Sequence, residues 1–218
     1  MRPETVALLA AAAALLVVVL PGPWRVARNV ITIVHEAGHA LTAVLAGRRL
    51  RGIRLHSDTS GLTLSRGRPD GPGMVCTALA GYPAPSLLGL GYAGLLAAGA
   101  VTGPLVVSAV LLAGVLVMVR NVYGVVSVLL TGAALGVVSW LATAQVQAAF
   151  AQAITWLLLF GGLRPVGELQ RKRRRGRVYD SDADLLGRLT GTPGLFWVAA
   201  FGLIGLAALV VAGGWLLA

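Results

Sequence analysis

Long apolar runs dominate the chain and decide what it can fold into. A helix that crosses a bilayer needs about 20 mostly apolar residues. Runs of that kind predict helices at about 5–20, 24–47, 72–99, 104–119, 122–142, 148–163 and 194–218. The third is broken at Gly81-Tyr82-Pro83-Ala84-Pro85. Polar stretches at 48–71 and 164–193 stand between them as cytoplasmic loops. Hydrophobic residues make up 57% and charged ones 12%, where a soluble domain carries about 25% charged residues. This excludes an ordinary soluble enzyme, a disordered tail and a coiled coil. The expected fold is an all-α polytopic membrane protein of six to seven transmembrane helices, with 1–218 as a single membrane-embedded domain. The first run follows Arg2, as in a signal peptide. No small-x-small cleavage site follows Val17-Val18-Val19-Leu20, so a retained anchor is expected.

The net charge of +10 finds its explanation in orientation. Alternating the loops places Arg2, the 48–68 stretch, Arg120 and the 164–188 segment on one side. That side holds all of the Lys and Arg except Arg25 and Arg28. By the positive-inside rule it is cytoplasmic, as is the N-terminus, and the C-terminus is external. The run Arg171-Lys172-Arg173-Arg174-Arg175 then reads as a topology signal and a contact for anionic lipid headgroups. No nucleic-acid partner is expected, because no aromatic interleaving or binding fold accompanies the run. The preference for Arg over Lys (Lys172 is the lone lysine) fits a high-GC bacterial genome, and hence a bacterial plasma membrane. The single cysteine, Cys76, excludes an intrachain disulfide and reads as buried filler.

Within 48–71, Ile53 and Leu55 alternate with Arg54 and His56, and Leu62 and Leu64 alternate with Thr63 and Ser65. Ser57-Asp58-Thr59-Ser60-Gly61 between them is turn chemistry. A short amphipathic β-hairpin at the cytoplasmic surface is predicted.

The motif that carries chemistry is His35-Glu36-Ala37-Gly38-His39. Positions four apart share one helix face, so both imidazoles can reach one ion. Ligand type favours zinc (Zn2+) over iron, manganese or cobalt. Glu36 projects beside the metal, where it can take a proton from water. Gly38 adds no bulk, so another backbone can approach. Ionisable groups within a span are costly and mark a functional site.

A catalytic zinc site needs a third protein ligand. The inventory is short: Glu4, His56, Asp58, Asp70, Cys76, Glu168, Asp180, Asp182 and Asp184. His39 lies about 12 Å from the cytoplasmic end of its span at 1.5 Å per residue. An aspartate from Asp180-Ser181-Asp182-Ala183-Asp184 could reach it if that segment dips into the bundle. The competing role is capping, with Ser181 as N-cap and Asp182 and Asp184 in the first turn. The two roles are compatible, since a cap fixes the carboxylate's direction.

These residues resemble the M50 metallopeptidases of the site-2-protease type, and most closely the compact M50B-like branch. The matching features are HEAGHA with Leu41–Gly47, Ser60-Gly61-Leu62-Thr63, Ala80-Gly81-Tyr82, Arg120-Asn121, and Ser181-Asp182-Ala183 with Leu186, Thr190, Pro193 and Trp197. The resemblance implies a zinc-dependent endopeptidase acting on membrane-spanning helices, and it points to Asp182 as third ligand, with Asp184 and Asp180 as alternatives. The Asn-x-x-Pro…Leu-Asp-Gly motif of better-studied site-2 proteases is missing, as is a PDZ insertion.

Other signals are weaker. Gly89-Leu90-Gly91-Tyr92-Ala93-Gly94 matches a dinucleotide fingerprint but has no acidic residue downstream before Glu168; it reads as close helix packing. Gly132–Gly136 is a GxxxG helix contact. Asn121 could face the site and hydrogen-bond substrate or an oxyanion, beside a snorkelling Arg120. The alternation at Ile53–Leu64 suggests edge pairing with an unwound substrate. Two other functions could use the same residues: metal or substrate binding without cleavage, and metal transport. Transport wants a polar path, yet 101–119 and 122–131 are nearly all apolar or small.

Overall fold

A computed structural model describes residues 3–176 and 180–217. In chain order the elements are α1 (Pro3–Val19), α2 (Pro21–Leu45), β1 (Arg49–Leu55), β2 (Gly61–Arg66), α3 (Pro72–Leu79), α4 (Ala84–Ala97), α5 (Gly103–Met118), α6 (Val122–Leu141), α7 (Ala144–Arg174), α8 (Asp182–Thr190) and α9 (Gly194–Leu217). The protein is an all-α polytopic membrane protein with one small hairpin. Three helices are singly long and apolar enough to cross a membrane: α6, α7 and α9. The α1–α2 pair, bent by 100°, and the α3–α4 pair, bent by 70°, bring the number of candidate spans to five. The α5 helix is apolar but shorter. All seven expected runs are helical, but several are bent or short.

Local chemistry sets the boundaries. Pro21 and Pro23 sit in the first turn of α2, where a missing N–H costs nothing. Gly47, at φ +71°, ends it in the left-handed conformation. Its N–H bonds the Val44 carbonyl at 3.0 Å, and Arg48 N–H bonds that of Ala43 at 2.9 Å. The break between α3 and α4 falls at the expected prolines, with Pro83 as N-cap of α4.

Two expectations about the helices are corrected. The 164–193 segment is not a loop throughout. The α7 helix continues through Pro165 to Arg174. Val166 and Leu169 are buried there against Leu186, Val198 and Phe201, and Arg164 pairs with Glu168 at 3.0 Å one turn on. Apolar packing on one face sustains the helix where polarity alone suggested an end. Among the described residues, a Cβ on Gly132 or Gly136 would meet no atom of a neighbouring helix within 4 Å; at Gly136 it would meet Trp140 of its own helix. Gly89, by contrast, packs on Leu158 and Leu159 of α7.

The hairpin forms as its alternation predicts, with Ile53 opposite Thr63 and Arg54 opposite Leu62. Its placement differs. It does not stand apart at the surface but runs back along α2, and the Thr32 hydroxyl donates to the Thr59 carbonyl at 2.8 Å. From Leu45 to Thr32 that is about 20 Å of helix. Ile53 and Leu55 are buried, whereas Leu62 and Leu64 face outward. The reason is register: residues opposite each other share a face, so Ile53 sides with Thr63 and not with Leu62. The other edge of β1 is occupied, because Val119 bridges Ile53 in parallel and Arg120 N–H bonds the Ile53 carbonyl at 2.8 Å. The strand bulges at Arg51, and the bare Gly52 after it, at φ +147°, leaves room for the Arg120 side chain.

Candidate metal centre

One turn of α2 presents His35 and His39 to the first residue of α8. The two Nε2 atoms are 3.1 Å apart, and each lies 3.3 Å from Asp182 Oδ2. Four ligands held tetrahedrally at about 2.0–2.1 Å from zinc stand about 3.3–3.4 Å from one another. The three atoms therefore span one face of such a tetrahedron, and the donor set fits zinc by type and by spacing.

Each ligand is held differently. His39 Nδ1 lies 2.7 Å from the Thr77 carbonyl on α3. That partner accepts a hydrogen bond only, so the proton sits on Nδ1 and Nε2 keeps its lone pair for a metal. His35 is held by rings: edge-to-face contacts with His39 at 4.7 Å and with Tyr82 at 4.9 Å between centroids. Tyr82 is stacked in turn on Phe201 of α9. Asp182 is directed by the start of α8, where Ser181 and Asp184 form a reciprocal capping box.

Three glycines shape the site. A Cβ on Gly81 would lie 2.3 Å from His39 Nε2 and 2.7 Å from His35 Cε1. A Cβ on Gly61 would lie 2.4 Å from Glu36 Oε1. Gly38 lets α2 close on the α3–α4 break, against Ala84 and the Ala80 carbonyl, as its lack of bulk suggested.

Glu36 is 3% exposed. The Thr63 hydroxyl, on β2, donates to its carboxylate at 2.6 Å. The hairpin thus fixes the carboxylate that follows the first ligand in sequence.

The expected site residues separate cleanly. His35, His39 and Asp182 converge, with Glu36 next to His35 in sequence and fixed by β2. Asp184 does not join them. It accepts from the Ser181 hydroxyl at 2.6 Å and pairs with Arg173. Burial pushes its carboxyl up, but these partners outweigh that and hold it below the usual carboxylate range. Asp180 pairs with Arg188 at 2.7 Å and is exposed. Asn121, expected to contact substrate or an oxyanion, has both atoms of its amide engaged by the backbone of Leu55. Its Nδ2 donates to the Leu55 carbonyl at 2.7 Å, and its Oδ1 accepts from Leu55 N–H at 3.1 Å. It staples β1 to the start of α6. Cys76 is exposed, not buried filler. Thr77 had no signal in the sequence. Gly61 and Thr63 stood in the matched Ser60-Gly61-Leu62-Thr63, and Gly81 and Tyr82 in the matched Ala80-Gly81-Tyr82, but the contacts of Gly61, Thr63 and Gly81 with Glu36 and the histidines had no signal.

The family profile described as Peptidase M50B-like matches residues 8–212. The chain belongs to the M50B-like peptidase family. No curated protein and no solved structure matches this M50B-like chain. The match covers all four residues of the site, so the convergent ligands and the buried glutamate fall within the region that defines membership.

Proposed function

We propose that this M50B-like protein is a zinc-dependent endopeptidase that hydrolyses peptide bonds of membrane-spanning substrates. The observation that carries this reading is the spacing of His35, His39 and Asp182, 3.1–3.3 Å between ligand atoms, with a buried glutamate adjoining the first ligand. Zinc bound there supplies Lewis acidity and lowers the pKa of a water molecule to near 7. Glu36 acts as general base on that water and then passes the proton to the leaving amine. Thr63 holds one carboxylate oxygen, and Gly61 leaves space beside the other.

A peptide bond in a spanning helix is shielded by its own hydrogen bonds, so substrate must unwind before attack. The hairpin offers a place for it. One edge of β1 is closed by Val119–Asn121, while β2 is the outer strand of the two-stranded sheet. An extended segment pairing with β2 would run past Thr63, and hence past Glu36. The expected partners are single-span membrane proteins. In the orientation set by the basic 164–188 segment, Arg171–Arg175 contacts anionic headgroups on the cytoplasmic side of a bacterial plasma membrane and the C-terminus is external. The expected cytoplasmic N-terminus does not fit, because Arg164 meets the Val18 carbonyl and the Trp24 ring and Arg28 pairs with Glu168, which brings the far end of α1 to that same side.

The test combines metal analysis with cleavage of a single-span substrate in proteoliposomes. Glu36→Gln should keep zinc and lose cleavage. Retention of cleavage by Glu36→Gln would refute the assignment.

A further inference from the structure

A cavity of about 710 Å³ lies between α2, α4, α5, α6 and α7, and plays no part in the hydrolytic site. Val26, Val126 and Leu130 line it and are 77%, 48% and 67% exposed. The cavity therefore opens sideways between α2 and α6, towards the hydrocarbon that surrounds a membrane protein.

The walls decide what can fill it. The polar groups inside are already paired: Tyr92 with Ser108 at 2.6 Å, Asn29 with Ser127, and Thr131 with the Ser127 carbonyl at 2.9 Å. A water molecule needs two to four free polar partners, so the interior suits an apolar guest. An empty apolar void would forfeit dispersion contacts on all its walls. A flexible acyl chain can follow the shape of this space, whereas a rigid helix about 10–12 Å across must match it along its whole length.

Charge selects the other end of the guest. Arg25 is the one charged residue lining the cavity. It is exposed, and among the described residues it has no ion-pair partner, whereas Arg28 one turn on is paired with Glu168 at 3.1 Å. The exposed Ser57 and Tyr123 stand on the same lining. The nearest acid on the hairpin tip, Asp58, is turned onto the hydroxyl and N–H of Ser60, at 2.6 and 2.9 Å.

We propose that the cavity is a binding site for one anionic phospholipid, an acyl chain filling the space between α2 and α6 and the phosphate meeting Arg25. Because lipid tails are as apolar as the walls, occupancy comes from shape and preference from the headgroup. The proposal does not depend on proteolysis.

The test is native mass spectrometry of the full chain released from nanodiscs of equal phosphatidylglycerol and phosphatidylcholine. Wild type should retain one phospholipid, with the anionic one favoured about fivefold, the worth of one arginine near the headgroups. Arg25→Gln should retain a lipid without that preference. Val30→Trp and Leu111→Trp, which fill the cavity, should lower occupancy at least about fivefold while elution and helicity stay unchanged. A preference that survives Arg25→Gln, such as one carried by Arg171–Arg175, overturns the proposal. Full occupancy in folded tryptophan variants, or displacement of the lipid by a single-span peptide, overturns it equally. If the tryptophan variants fail to fold, Arg25→Gln decides alone.

Discussion

Replacing Gly81 by alanine is the smallest change that should empty the metal centre. The new Cβ would lie 2.3 Å from His39 Nε2, 2.5 Å from His39 Cε1 and 2.7 Å from His35 Cε1. All are closer than any real van der Waals contact, so something must move. Gly81 lies in the break between α3 and α4, and its Cα neighbours are held by Gly38 packing on Ala80 and Ala84. The imidazoles are the freer partners. Turning the His39 ring breaks its 2.7 Å bond to Thr77, and losing such an orienting partner alone costs about 10–100-fold in metal affinity. With both ligands displaced, zinc affinity should fall at least about 100-fold, or about 2.7 kcal/mol. Competition with a chromophoric chelator reads this directly. Gly91→Ala is the control, because among the described residues its added methyl meets no side chain or neighbouring element within 4 Å, and alanine suits that helix better than glycine. Zinc affinity of Gly81→Ala within about threefold of wild type would refute the steric argument.

Further outcomes follow from the same geometry. Glu36→Gln should lower kcat by about 10²–10⁴-fold with zinc content unchanged, read by cleavage of a single-span substrate. Tyr82→Ala should weaken zinc about tenfold by freeing His35, and Tyr82→Phe should restore it, since the ring and not the hydroxyl makes the edge contact; equal affinities in both would remove Tyr82 from this role. Asn121→Ala leaves the N–H and carbonyl of Leu55 unpaired, at about 1–3 kcal/mol each where buried. It should loosen the hairpin, seen as faster amide exchange across Ile53–Leu55.

The sequence made the hairpin, the one-turn spacing of the histidines and the cap at Ser181 legible, because each rests on a local rule. Alternation reports strands, i and i+4 report a helix face, and Ser-x-x-Asp reports a helix start. The convergence of Asp182 on the histidines was suggested by family likeness and by a short acid inventory, not by any local pattern. What stayed hidden is set by partners distant in sequence. Asn121 lies 66 residues from Leu55, and no local signal distinguishes an amide that staples a strand from one that faces substrate. The helix beyond Leu163 was hidden because the polarity of its arginines read as an end, while its support comes from α8 and α9. The outward turn of Leu62 and Leu64 follows from cross-strand register, which alternation within one strand cannot supply.

The central claim is that one metal ion joins α2 to α8. X-ray absorption of the purified protein at the zinc edge, beside its Asp182→Ala variant, tests it most directly. Wild type should hold one zinc per chain with two imidazoles at about 2.0–2.1 Å and an oxygen shell, and the variant should lose the metal or an oxygen from that shell. A protein without zinc, a shell lacking paired imidazoles, or one that Asp182→Ala leaves unaltered would contradict the account.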